Sequence, residues 1–170
     1  MPRSKGFTLI ELMVVIAILG IILGLAVPAM SEFLIRQRVK SQSNDIMLAI
    51  ASARSEAIKL NQAVSVIPDG IWASGWCVVV SSGQINCNAD NLNVTQRFNQ
   101  RDDVTVESTF GTTDVLRLEF NRYGSCQNCD NTSITVSSPR LNSDPLDARC
   151  IVLGRQGRAS IKPIKRDQSC

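Results

Sequence analysis

The chain has 170 residues, 44% hydrophobic and 19% charged, which is long and apolar enough to bury a domain core and excludes wholesale disorder. It contains no His, which excludes triads, zinc sites and proton shuttles built on imidazole. The net charge of +3 is too small to signal nucleic acid, yet residues 149–170 hold six Lys and Arg against Asp167, while 7–148 are net negative.

Met1 to Gly6 is short and basic through Arg3 and Lys5. From Phe7 to Met30 the only charge is Glu11. A run of that length can cross a bilayer as a helix, which needs ~20 residues. The basic flank then stays cytoplasmic and the remainder is exported. A cleaved signal peptide, with a small-residue site at Val27-Pro28-Ala29, is one ordinary reading; a plain single-span anchor is another. Glu11 speaks against both. A carboxylate inside an apolar helix costs ~2.5–3.5 kcal/mol on insertion scales and calls for a partner. If the chain were cut before Phe7, the new amine of a neighbouring subunit would be a cation of suitable sign.

Pro28 lacks an amide proton and predicts a kink or loosening of the helix. Beyond it Ile46, Ile50, Ala53, Ala57 and Leu60 repeat at helical spacing, one stripe to pack on a sheet, with the helix ending near Asn61. Strand-like segments follow at 64–67, 71–80, 84–87, 104–107, 115–120, 134–138, 150–154 and 158–164. In 115–120, Leu116, Leu118 and Phe120 alternate inward. The polar, Asn-rich stretch 86–103 reads as a long loop. Trp72 and Trp76 share a strand face and cover the core, with base stacking as the minority alternative. The fold class is α+β: a long N-terminal helix on an antiparallel sheet.

Gly6-Phe7-Thr8-Leu9-Ile10-Glu11 behind its basic leader resembles the class III signal of type IV prepilins and type II secretion pseudopilins. Ala53-Arg54-Ser55-Glu56-Ala57-Ile58-Lys59-Leu60-Asn61, followed by Trp72 and Gly75-Trp76-Cys77-Val78-Val79, is similar to the minor-pilin family that includes pseudopilin H, FimT and FimU. The likeness covers about the first eighty residues. It implies cleavage by a prepilin peptidase after Gly6, N-methylation of Phe7 and subunit docking through Glu11. It also implies a leader over 1–6, a membrane or filament-core half-helix over 7–30, an amphipathic half over 31–61 and a β-rich domain over 62–170. The implied location is the inner membrane, single-pass with a periplasmic domain, and then a pilus or pseudopilus. The implied partners are other major and minor pilins or pseudopilins.

Six Cys in a short exported chain suggest disulfides, and several connectivities are open. Local spacing suggests Cys77–Cys87 around Ser82-Gly83, Cys126–Cys129, and Cys150–Cys170, the last much as pilins often close a C-terminal loop. Cys126-Gln127-Asn128-Cys129 lacks the second ligand pair of a zinc site and the strand-to-helix setting of a redox site. Asp102-Asp103 reads as a solvated turn. The sequons at Asn93 and Asn131 read as chance matches. No P-loop, dinucleotide fingerprint or nucleophile elbow occurs, so neither enzyme activity, cofactor nor metal is expected.

FimT-like relatives capture DNA through a C-terminal Gly-Arg-x-Arg motif. Here Gly154-Arg155-Gln156-Gly157 and Gly157-Arg158-Ala159-Ser160 each leave it incomplete. A hairpin closed by Cys150 and Cys170 would gather Arg155, Arg158, Lys162, Lys165 and Arg166 as a DNA-binding patch. The leading expectation is a minor pilin that joins or primes a type IV pilus. DNA uptake in natural transformation and a type II secretion pseudopilus are the alternatives.

Overall fold

In the computed structural model the described residues are 6–80, 87, 93–109, 117–130, 132–141, 146–168 and 170, with the side chains of 25–29 excluded. The chain divides into two compact units, Met1–Leu34 and Ile35–Cys170. A single helix, α1, runs Leu9–Leu60. It continues through Pro28 without a break.

Within the second unit the helical stripe is real, and longer than the sequence pattern marks. Ile35, Val39, Ile46, Ala49, Ile50, Ala53 and Ala57 are buried. The stripe also contains two fully buried polar residues, Gln42 and Ser43, whose polar groups are bonded. Gln42 accepts the Arg101 amide at 3.0 Å and donates to the Asn99 carbonyl at 3.4 Å, while Ser43 donates to the Val39 carbonyl at 2.7 Å. Leu60, expected in the stripe, is 42% exposed. The helix is already closing there. Asn61 takes a left-handed φ of 53°, and the amides of Asn61 and Gln62 reach back to the carbonyls of Ile58 (3.4 Å) and Ala57 (3.3 Å). These two bonds form a Schellman cap, in which Asn tolerates the left-handed position.

Eight strands follow: β1 Val64–Asp69, β2 Ile71–Val79, β3 Val94–Asn99, β4 Thr105–Thr109, β5 Leu118–Phe120, β6 Thr132–Ser137, β7 Ala148–Leu153 and β8 Ala159–Ile164. They form two four-stranded antiparallel sheets, ordered β3-β2-β1-β5 and β4-β6-β7-β8, where the sequence suggested one. β3 lies inside the stretch read as loop, and that reading is corrected. It is an edge strand held by main-chain pairing to β2, from Gly75 opposite Asn99 to Val79 opposite Val94, so it needs no apolar face. From it Phe98 leans on the main core, stacked on Trp76 at 5.9 Å between ring centroids, and Val94 packs against the smaller cluster of Ile67, Cys77, Val79 and Cys87. The candidate strand 84–87 lies outside the described residues except for Cys87, as do Ser82-Gly83, Leu116 and Asn131. Leu118 and Phe120 are both fully buried.

The helix stripe, the β1, β2 and β5 side chains Val64, Trp76 and Phe120, and the β6 and β7 side chains Ile134 and Ile151 belong to one buried cluster. Trp72 and Trp76 are both buried there, with ring centroids 6.1 Å apart. They are core, and their burial leaves no face for stacking on a base. Disulfides join Cys77 to Cys87, Cys126 to Cys129 and Cys150 to Cys170.

Candidate functional site: the N-terminal helix and the basic hairpin

At the start of α1, Thr8 and Glu11 cap each other. The Thr8 amide and hydroxyl both donate to Glu11 Oε2 at 2.9 Å, and the Glu11 amide donates to Thr8 Oγ1 at 3.3 Å. This reciprocal pair is a capping box, which satisfies orphan amides of the first helical turn. The Ser/Thr-x-x-Glu signal for it stands in the sequence at Thr8-Leu9-Ile10-Glu11, and the reading of Glu11 as a docking carboxylate passed over it. Gly6 and Phe7 precede the box outside the helix, with Phe7 85% exposed.

All residues from Gly6 to Gly24 are exposed, including every large apolar one. Burying a Val, Leu, Ile, Phe or Met side chain is worth ~1.5–3 kcal/mol, so this surface strongly favours an apolar surrounding. Among the described residues no helix is long and apolar enough to cross a membrane. The expected span 7–30 includes residues 25–29, whose side chains lie outside the description.

At the other end of the sequence, β7 and β8 form a hairpin. Its tip is closed by the Gly154 amide donating to the Arg158 carbonyl at 3.0 Å and the Gly157 amide donating to the Gly154 carbonyl at 2.9 Å. The tip is fastened to the loop bearing the Cys126–Cys129 bridge, since the Cys126 amide donates to the Arg155 carbonyl at 3.0 Å. The Arg155 guanidinium hydrogen-bonds and ion-pairs with Asp130, whose contact and charge raise its pKa above the usual arginine value.

The structure does not gather the five candidate cations in one place. Arg155 and Arg158 sit at the tip, Lys162 lies within β8, and Lys165 and Arg166 follow its far end. Six strand residues at ~3.3 Å each put roughly 20 Å between the two ends. Arg166 is turned to the main chain, donating to the Leu141 carbonyl at 2.8 Å and the Pro139 carbonyl at 3.3 Å, beside Asp167 at 3.0 Å. Asp103, of the adjacent acidic pair, is a structural acceptor with φ 63°, bridging Arg38 at 3.0 Å and Arg140 at 2.9 Å. Among the described residues no cluster of three or more His, Cys, Asp or Glu could hold a metal ion.

The family model described as type II transport protein GspH matches residues 42–157, which hold most of the helix stripe and strands β1 to β7. The chain belongs to the GspH family. A second model, the prokaryotic N-terminal methylation motif, matches residues 1–27 of this GspH-family chain. A fimbrial protein of Pseudomonas aeruginosa is 35% identical over 65 residues, 38% of this chain and 42% of the relative. The chain therefore spans less than half the length of that curated relative.

The solved structures carry the fold further than the sequences do. The type IV minor pilin FimU of Pseudomonas aeruginosa aligns with a TM-score of 0.57 at 20% identity, over 75% of this chain and 90% of FimU. The minor pseudopilin EpsH from the type 2 secretion system of Vibrio cholerae aligns with a TM-score of 0.54 at 11% identity, over 74% of this chain and 97% of EpsH. This GspH-family chain thus has the fold of type IV pilin-like subunits: a long N-terminal helix on antiparallel sheets. The family consists of structural pilin and pseudopilin components, anchored in a membrane and incorporated in filaments with other pilins or pseudopilins; they are not enzymes.

Proposed function

We propose that this chain is a minor pilin, cleaved by a prepilin peptidase after Gly6, methylated on Phe7, and incorporated in, or priming, a type IV pilus. The observation that carries this reading is the start of α1. An exposed apolar helix surface bearing a single carboxylate stands directly behind Gly6-Phe7, within the N-terminal methylation motif. Before assembly that surface lies in the inner membrane; afterwards it packs among other subunit helices. Glu11 then has two tasks, capping its own helix through Thr8 and meeting the Phe7 amine of a neighbour.

Mass spectrometry of the protein extracted from membranes tests this. The expected mature chain begins at methylated Phe7, and replacing Gly6 with a bulky residue leaves the leader attached. A mature chain beginning at Met30 would favour an ordinary signal peptidase and overturn the reading. The second reading, a type II secretion pseudopilin, is favoured by the family model over residues 42–157. It predicts the same cleavage but a loss of secretion, not of piliation, when the chain is deleted.

A further inference from the structure

The last turns of α1 and the β7–β8 tip of the second unit line one open groove of about 460 Å³, and Gly124 of the 121–125 loop lies close to two of its lining residues, Arg54 and Ile58. Met47, Ile50, Ile58 and Ala159 give it an apolar lining, and Arg54 and Arg158 supply its charge. The walls have little freedom. A Cβ on Gly124 would lie 2.7 Å from Ile58 Cδ1 and 3.1 Å from Arg54 Nε, and one on Gly157 would overlap the Gly124 carbonyl oxygen. Beside the groove Tyr123 is 71% exposed and carries the Arg122 guanidinium 5.0 Å from its ring centroid.

The two groove arginines differ from their neighbours on the same unit. Arg36, Arg38, Arg101 and Arg140 are each held by an Asp at 2.8–3.1 Å. Among the described residues no carboxylate lies within ion-pair distance of Arg54 or Arg158. A purely apolar occupant would strip water from two guanidiniums and leave them unpaired, which is costly. A purely anionic occupant would leave the apolar lining wet. The complementary occupant brings both groups together. Two cations above a short apolar lining also suit a side-chain pair better than a nucleic-acid backbone, which needs a continuing positive track.

We infer that this groove docks another filament subunit, receiving a segment in which an apolar side chain stands beside an Asp or Glu. This rests on the proposed filament role. The experiment places the photo-crosslinking residue p-benzoylphenylalanine at Ala51, an exposed position lining the groove, in the full chain within filament-forming cells. The expected adduct is with a pilin-like subunit, through a peptide that carries an acidic residue next to an apolar one. Arg54→Glu with Arg158→Glu should lower the adduct yield about tenfold, the loss expected for removing a charge-assisted contact. Arg54→Lys with Arg158→Lys should keep most of it. Changing the partner's acidic residue to Lys should restore the adduct in the Glu variant, which a misfolded chain could not do.

An adduct only with nucleic acid, lipid or an unrelated protein would overturn the inference, and so would a yield indifferent to the Glu substitutions. The same cells are scored for cleavage after Gly6 and for recovery in sheared filaments. A cleaved, incorporated chain without the adduct refutes the docking site alone. An uncleaved chain refutes the filament reading beneath it.

Discussion

Gly157 is where the hairpin tip meets the rest of the domain, and Gly157→Ala measures how firmly that contact is made. Its φ of 69° is left-handed, so any Cβ there costs ~1 kcal/mol before contacts are considered. The new methyl would also overlap the Gly124 carbonyl oxygen and lie 3.2 Å and 3.3 Å from two Phe120 ring atoms. Phe120 is fully buried, and the Gly124 oxygen is backbone, so neither gives way cheaply. The tip must lift, weakening the bond from the Cys126 amide to the Arg155 carbonyl, itself worth ~1 kcal/mol. With overpacking at ~1–3 kcal/mol, the expected loss is roughly 3–5 kcal/mol. For a chain of this size each kcal/mol lowers Tm by about 2–4 °C, so the midpoint should fall by roughly 6–20 °C.

The control is Gly70→Ala. Gly70 has a φ of 80°, yet nothing lies within 4 Å of where its Cβ would be. Only the conformational cost of ~1 kcal/mol applies, about 2–4 °C. Thermal unfolding of the full chain in detergent micelles, followed by near-UV circular dichroism of the buried Trp pair, separates the two. Equal losses for the two variants would refute the close approach of tip and loop, and with it the fixed wall of the groove.

Glu11→Gln should keep the hydrogen bond that caps Thr8 while removing the charge. If Glu11 docks by ion pairing, both Gln and Leu variants should be depleted from sheared filaments; recovery of the Gln variant at wild-type level would reduce Glu11 to a helix cap. Replacing Cys150 and Cys170 together with Ser opens a loop of 20 residues and should cost ~3 kcal/mol on the chain-entropy account, read as an earlier denaturation midpoint. The DNA-uptake alternative predicts duplex binding that is lost in Arg155→Ala/Arg158→Ala. With Arg155 and Arg166 already engaged, its salt slope should match only one or two phosphates, ~0.9 each; binding indifferent to the double substitution rejects the tail as a DNA site.

How much was legible in the sequence depended on whether the signal was local. The α1 stripe was readable because Ile46, Ile50, Ala53 and Ala57 repeat within one helix, and periodicity needs no knowledge of the partner surface. Most strands were readable from β-branched runs, and errors at their ends were small: 64–67 against Val64–Asp69, 158–164 against Ala159–Ile164. β3 escaped because Thr95-Gln96-Arg97 has no apolar alternation; its identity comes from the β2 backbone opposite it. The division into two sheets escaped for a similar reason. Strand pairing is a long-range property, and Phe120 on β5 pairs with Val64 on β1 across more than fifty residues. The Asn61 cap was visible as a boundary, and the Thr8–Glu11 cap was equally visible but was eclipsed by the stronger family motif.

The charges show where local reading stops. Summing residues 149–170 treats six cations as one resource, but the fold sorts them by what stands opposite each one. Arg155 faces Asp130 from 25 positions earlier, and Arg166 turns to the main chain of 139 and 141. Arg36 and Arg38, on the helix, are held by Asp147 and Asp103, 111 and 65 positions away. These pairings are partly exposed, so each adds little stability; their consequence is to withdraw a charge from outside partners. Arg158 is not withdrawn, and the hairpin tip sets it beside an apolar helix face and Arg54, more than a hundred residues earlier. No sum over a sequence window brings those two arginines together. The basic tail therefore matters less as a quantity of charge than as the strand pair that delivers one arginine to a helix.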